Sequence, residues 1–163
     1  MAIEDVTLPN GEPRRYEVVR HPGGAAVVAL DDLGRVILIR QWRHAGGGWL
    51  WELPAGKLDV KGETPRETAE RELAEEAGVS AREWEELGTM ISTPGFSDEI
   101  IYLYLARGLE TVGTAHEDGE FIEIHFVPFE RALAMARDGG IYDAKTVVGL
   151  FRAASRAGGV PNA

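Results

Sequence analysis

Thr64-Pro65-Arg66-Glu67-Thr68-Ala69-Glu70-Arg71-Glu72-Leu73-Ala74-Glu75-Glu76-Ala77-Gly78 is the stretch from which the rest of the chain is read. It holds the start and stop signals of one helix. Thr64 suits the N-cap, Pro65 stands at the first helical position, where no amide hydrogen is needed, Glu67 completes a capping box and Gly78 terminates. Ala69, Leu73 and Ala77 recur every fourth residue while most other positions are charged, so the spacing predicts a helix over 64–77 that lays a narrow apolar stripe on a sheet. The same geometry sets Glu72 beside Glu75 and Glu76, because residues three and four apart share a helix face. Like charges at that spacing repel, and a divalent cation would offset the repulsion. The ordinary alternative is a solvated acidic face paired with Arg66 or Arg71.

Working outward, strand-like runs at Val6–Leu8 and Arg14–Arg20 flank Pro9-Asn10-Gly11, which predicts an amino-terminal hairpin, broken by His21-Pro22-Gly23-Gly24. Ala25–Leu30 and Arg35–Arg40 read as core strands joined by a turn at Asp31-Asp32-Leu33-Gly34, and Trp49–Leu53 continues in that style to Pro54. Strand signals return at Ile100–Ala106 and Ile122–Pro128, followed by helical patterns at Glu130–Arg137 and Ala144–Ala157. The expectation is α/β or α+β, a mixed β-sheet sandwiched between helices, with the hairpin of residues 1–22 as a small separate sheet. One domain over 1–163 is expected, with a flexible tail at 158–163.

The 163 residues include no cysteine, so any metal must be held by oxygen or imidazole, and hard cations come to the front. His21, His44, His116 and His125 show no paired ligand spacing and are assigned no chemistry. A formal charge of -10 argues against nucleic acid and anionic membrane surfaces as partners. With no basic segment leading an apolar run at the amino terminus, a cytoplasmic protein is expected. A phosphate-bearing substrate would then need cations as intermediaries.

Gly56-Lys57-Leu58-Asp59-Val60-Lys61-Gly62-Glu63, seven further residues, and then Arg71-Glu72-Leu73-Ala74-Glu75-Glu76-Ala77-Gly78-Val79 together resemble the Nudix box, the loop-helix-loop motif of the Nudix hydrolase family. The chain departs from the pattern once: six residues separate Gly56 from Glu63, where the family has five. The resemblance implies that Glu72, Glu75, Glu76 and the Ala55 carbonyl hold magnesium, with manganese able to substitute, and that Arg71 and Glu63 form a supporting ion pair. Bound cations would neutralise a pyrophosphate linkage and acidify an attacking water. The acidic run His116-Glu117-Asp118-Gly119-Glu120 precedes the strand at Ile122 and can take the proton. By the same resemblance Glu120 is the catalytic base and a further metal ligand, with Asp118 second and Glu117 third.

Two more segments resemble the ADP-ribose pyrophosphatase subfamily. One is Ser92-Thr93-Pro94-Gly95-Phe96-Ser97-Asp98-Glu99, with Pro94 sixteen residues beyond Gly78. The other is Leu38-Ile39-Arg40-Gln41-Trp42-Arg43-His44 leading to Trp51-Glu52-Leu53-Pro54-Ala55-Gly56. The substrate contacts so implied are Arg43, Trp42, Glu52, Pro94, Gly95 and Glu99, with Tyr16 and Arg20 reaching across the interface of a homodimer. Arg43 suits bidentate oxyanion binding, and Trp42, Trp49 or Trp51 could stack on adenine, though such tryptophans more commonly fill cores or interfaces. The reaction implied is conversion of ADP-ribose and water to AMP and ribose 5-phosphate. The alternatives are another nucleoside diphosphate sugar such as GDP-mannose, or a non-catalytic Nudix domain that senses a nucleotide.

Overall fold

The computed structural model describes residues 1–115 and 121–156. The sequence positions Asp118, Glu120, Glu117 and the 158–163 tail lie outside the described residues. In chain order the elements are β1 (Ala2–Thr7), β2 (Pro13–Val18), β3 (Gly24–Ala29), β4 (Arg35–Arg43), β5 (Gly48–Glu52) and β6 (Ala55–Lys57). Then come α1 (Pro65–Ala77), β7 (Val79–Ile91), β8 (Ile100–Thr111), β9 (Ile122–Pro128), α2 (Phe129–Arg137) and α3 (Ala144–Arg156). The strands form a β1-β2 hairpin sheet, a four-stranded sheet ordered β6-β3-β8-β7 and a three-stranded sheet ordered β5-β4-β9. The β3–β8 pairing is parallel, which makes the larger sheet mixed.

Alternation along β3 explains the layers. Ala25, Val27 and Ala29 point to a cluster completed by Ala69, Leu73 and Ala77 of α1, whereas Ala26 and Val28 point to the opposite cluster with Leu133, Leu150 and Ala153 of α2 and α3. A strand covered on both faces reads as a continuous apolar run, as Ala25–Leu30 does. The close approach of α3 is set by Gly149, where a β-carbon would meet Leu53 Cδ1 at 2.7 Å.

Helix α1 is capped at both ends as its sequence predicts. Thr64 accepts from the Glu67 amide, Glu67 accepts from the Thr64 amide, and Gly78 takes the left-handed conformation at φ 67°. Sequence reading left residues 79–91 without an element, yet they form the long strand β7 beside β8, with a bulge between Glu86 and Gly88. Charged residues crowd its exposed positions, so the two-residue alternation is blurred. Among the described residues no helix is long and apolar enough to cross a membrane.

Candidate active site

Residues of β4, β5, β6, α1 and the start of α3 line one cleft of about 740 Å³. A smaller hollow of about 420 Å³, beside Tyr102 and Tyr104, includes none of Glu72, Glu75 and Glu76. In the larger cleft α1 presents Arg71, Glu72, Glu75 and Glu76 to the backbone of Ala55 and Gly56. Glu76 is 3% exposed and its Oε2 accepts from the Ala55 amide at 2.8 Å, which fixes helix against strand. Position 56 has to be glycine for the two to approach: a β-carbon there would sit 1.8 Å from Glu72 Oε1.

Arg71 gathers the acidic groups. Its Nε donates to Glu63 at 3.1 Å, and its Nη1 donates to Glu72 Oε1 at 2.7 Å and to Glu75 Oε2 at 2.9 Å. Burial works against this guanidinium, but the bonds to Glu63 and Glu72 outweigh it and hold Arg71 charged well above its ordinary range. The hydrogen bond from Arg71 holds the Glu63 carboxyl below its ordinary value. The residue extra to the Nudix pattern does not separate the pair. The turn closed by the Glu63 amide on the Val60 carbonyl absorbs it, with Gly62 at φ 94° where only glycine is unstrained.

The opposite wall pairs two cations, Arg43 and Lys145, with two carboxylates, Glu52 and Asp143. Glu52 is 1% exposed, and Arg43 grips it with two hydrogen bonds at 2.8 and 3.0 Å while Lys145 bonds its Oε2. Burial alone would raise the Glu52 carboxyl; the Arg43 hydrogen bond and the Lys145 charge overcome this and leave it below its ordinary value. Lys145 also meets Asp143 at 3.1 Å, and Asp143 in turn caps α3 by accepting from the Thr146 amide at 3.0 Å. Thr146 Oγ1 then accepts from the Leu53 amide, so α3 is tied to the strand that carries Glu52.

Of the positions singled out in the sequence, Ala55, Arg71, Glu72, Glu75, Glu76, Arg43, Glu52 and Glu99 line the cleft. Glu63 stands just behind, on Arg71. Trp42, Pro94, Gly95 and Tyr16 do not line it. Strand alternation explains Trp42. Gln41, Arg43, Leu50 and Glu52 face the cleft, so Trp42, its partner Trp49, and Trp51 face the other way, with Arg40 stacked on Trp49 and Trp51. In the 92–99 loop the ends, Ser92 and Glu99, reach the cleft, while Pro94 and Gly95 are exposed in a turn closed on the Thr93 carbonyl. Tyr16 is exposed on the hairpin, and Arg20 is engaged by Glu4 and Asp98. Lys145, Asp143, Gln41 and His21 also line the cleft and had been given no role; the Asp143-Ala144-Lys145-Thr146 cap was the one local signal available.

Among the described residues no three carboxylates or imidazoles converge as a ready metal cage, because Arg71 spans Glu72 and Glu75 while Glu76 holds the Ala55 amide. The donor set nevertheless fits a hard divalent cation: it consists of oxygens, and the glycine at 56 leaves the space beside Glu72 that a side chain would fill.

The NUDIX domain family model matches residues 20–147. The methanol dehydrogenase activator of Bacillus methanolicus is 41% identical over 91% of this chain and 80% of its own. The ADP-ribose pyrophosphatase of Bacillus subtilis (strain 168) is 42% identical over 88% of this chain and 78% of its own. A crystal structure of an ADP compounds hydrolase superposes with a TM-score of 0.81 at 24% identity, covering 97% of this chain and 87% of that one, and so shares the fold. With box, cleft and family model in agreement over most of its length, the chain belongs to the NUDIX domain family.

Proposed function

We propose that the protein is a magnesium-dependent pyrophosphatase of ADP-ribose, releasing AMP and ribose 5-phosphate. The observation that carries this reading is the facing of two walls across one cleft: Glu72, Glu75 and Glu76 beside Ala55 on one side, Arg43 and Lys145 on the other. The similarity to an ADP-ribose pyrophosphatase at 42% identity supports this substrate.

In this reading Glu72, Glu75, Glu76 and the Ala55 carbonyl would hold magnesium, which supplies neutralisation of the pyrophosphate oxygens and a more acidic water. Arg71 gathers Glu72 and Glu75, and Glu63 steadies Arg71. Arg43, whose side chain is 41% exposed, binds a phosphate oxygen while Glu52 sets its direction. Glu120, ahead of Asp118, would accept the proton and add a ligand to the metal. Its support in the fold is that Ala115, the last described residue before it, lines the cleft and donates to the Glu75 carbonyl at 2.9 Å.

The same reading takes residues 1–163 as one cytoplasmic domain that works as a homodimer, the hairpin contributing to the interface. Support for the hairpin's role is its exposed surface, with Ile3 65% and Tyr16 44% exposed. The test is product analysis by mass spectrometry after incubation with magnesium and a panel of ADP-ribose, GDP-mannose, other nucleotide sugars, dinucleotides and capped RNA. Selective release of AMP from ADP-ribose is expected. Preference for GDP-mannose would change the substrate, and no turnover would favour a nucleotide sensor.

A further inference from the structure

We propose that Lys145 is a positioning residue for phosphate binding: by holding Glu52 it keeps the outer edge of the Arg43 guanidinium turned to the cleft. This deepens the reading given above and rests on it. Arg43 grips Glu52 side-on, with Nε on one carboxylate oxygen at 2.8 Å and Nη2 on the other at 3.0 Å. Its Nη1 has no hydrogen-bond partner among the described residues and is not sealed from solvent. That nitrogen is the one an oxyanion in the cleft can meet.

A guanidinium can also meet a carboxylate end-on, through Nη1 and Nη2, and that grip would occupy the edge a phosphate needs. Lys145 selects between the two. Glu52 is 1% exposed, and its donors among the described residues are Arg43 and the Lys145 ammonium on Oε2. With Oε2 tied to α3, the carboxylate cannot turn to follow the guanidinium. Lys145 is itself held, since Asp143 meets it at 3.1 Å, Thr146 donates to Asp143 through amide and hydroxyl, and Leu53 donates to Thr146 Oγ1. The two cations and two carboxylates cancel formally, so Lys145 contributes direction rather than net charge. Its ammonium is engaged by both carboxylates, which assigns it to the placement of Arg43 and not to a phosphate.

The experiment is a double-mutant cycle on the full chain with Lys145→Met, Glu52→Gln and the double variant. KM and kcat on ADP-ribose are measured beside calorimetric titration with ADP, which carries the diphosphate without the second sugar, and thermal melting. Lys145→Met is expected to raise KM and the Kd for ADP about three- to tenfold, with a smaller change in kcat. Lys145→Arg, which can still donate to Glu52, should recover most of that loss. In the Glu52→Gln background the same Lys145→Met change should leave both constants where Glu52→Gln alone puts them. Equal losses in the two backgrounds would mean that Lys145 meets the phosphate directly, and would overturn the inference. A lowered melting temperature with KM and Kd unmoved would overturn it too, leaving a structural role. Should Lys145→Met not fold, the comparison passes to Glu52→Gln against the double variant, whose buried site holds no lone charge; unequal Kd there overturns the inference. A wild-type protein that neither binds ADP nor turns over any nucleoside diphosphate sugar would remove the underlying reading first.

Discussion

Replacing Glu52 with alanine probes the charge arrangement that holds Arg43 and Lys145 in the wall of the cleft. The carboxylate is 1% exposed and holds two bonds from Arg43 at 2.8 and 3.0 Å together with Lys145. Removing one partner of a buried ion pair costs roughly 3 to 5 kcal/mol. The Arg43 side chain is 41% exposed and regains water, and Lys145 keeps Asp143 at 3.1 Å, so the low end applies. A loss of about 3 kcal/mol lowers the melting temperature of a chain this size by roughly 6 to 12 °C. Circular dichroism melts at neutral pH measure it, with Glu52→Gln as the shape-preserving comparison.

The sign with pH is fixed as well. Because the folded Glu52 carboxyl lies below its unfolded value, its contribution is fully present above about pH 4.3 and is lost as pH falls through the lower folded value. The gap in melting temperature between wild type and Glu52→Gln should therefore stay flat from about pH 8 to 5 and close only below about pH 4. An alanine variant melting within about 2 °C of wild type, or a gap closing near neutrality, would refute the argument that this buried carboxylate is held ionised by Arg43 and Lys145.

Gly56→Ala should lower turnover by about a hundredfold and the melting temperature only modestly, because the new β-carbon displaces a side chain, that of Glu72, rather than backbone. Stopped assays beside a melt separate the two effects. Glu76→Gln retains an acceptor for the Ala55 amide, so the fold should survive while turnover is nearly abolished; an unchanged rate would remove Glu76 from the metal set. Trp42→Ala should keep its KM, since the ring faces away from the cleft, whereas lost stacking of about 1 to 3 kcal/mol would raise KM about fivefold or more.

Helix α1 was legible because everything that defines it is local: Thr64, Pro65, Glu67 and Gly78 each act within a turn of their own position. The carboxylate wall came with it, since helical spacing alone brings Glu72 to Glu75 and Glu76. Strand β7 was not legible, because its partner β8 comes later in the chain and its bulge interrupts the alternation. That Trp42 lies off the cleft was not legible for a related reason. Trp42 and Arg43 are neighbours in sequence, but a strand sends them to opposite faces, and only the position of the cleft decides which of the two meets it. Lys145 was silent because its partner Glu52 lies 93 residues away.

That separation has a consequence for how the enzyme comes into being. The acidic wall is made by neighbours, Ala55 meeting Glu76 across 21 residues. The basic wall waits until α3 docks and Lys145 reaches back across 93 residues to Glu52. Long-range closures of this kind form late, after local contacts have recovered part of their entropy cost. A growing polypeptide is thus expected to gather its carboxylates first and to make the contact between Lys145 and Glu52 last. The cleft is complete only once synthesis has passed Lys145 and α3 has docked.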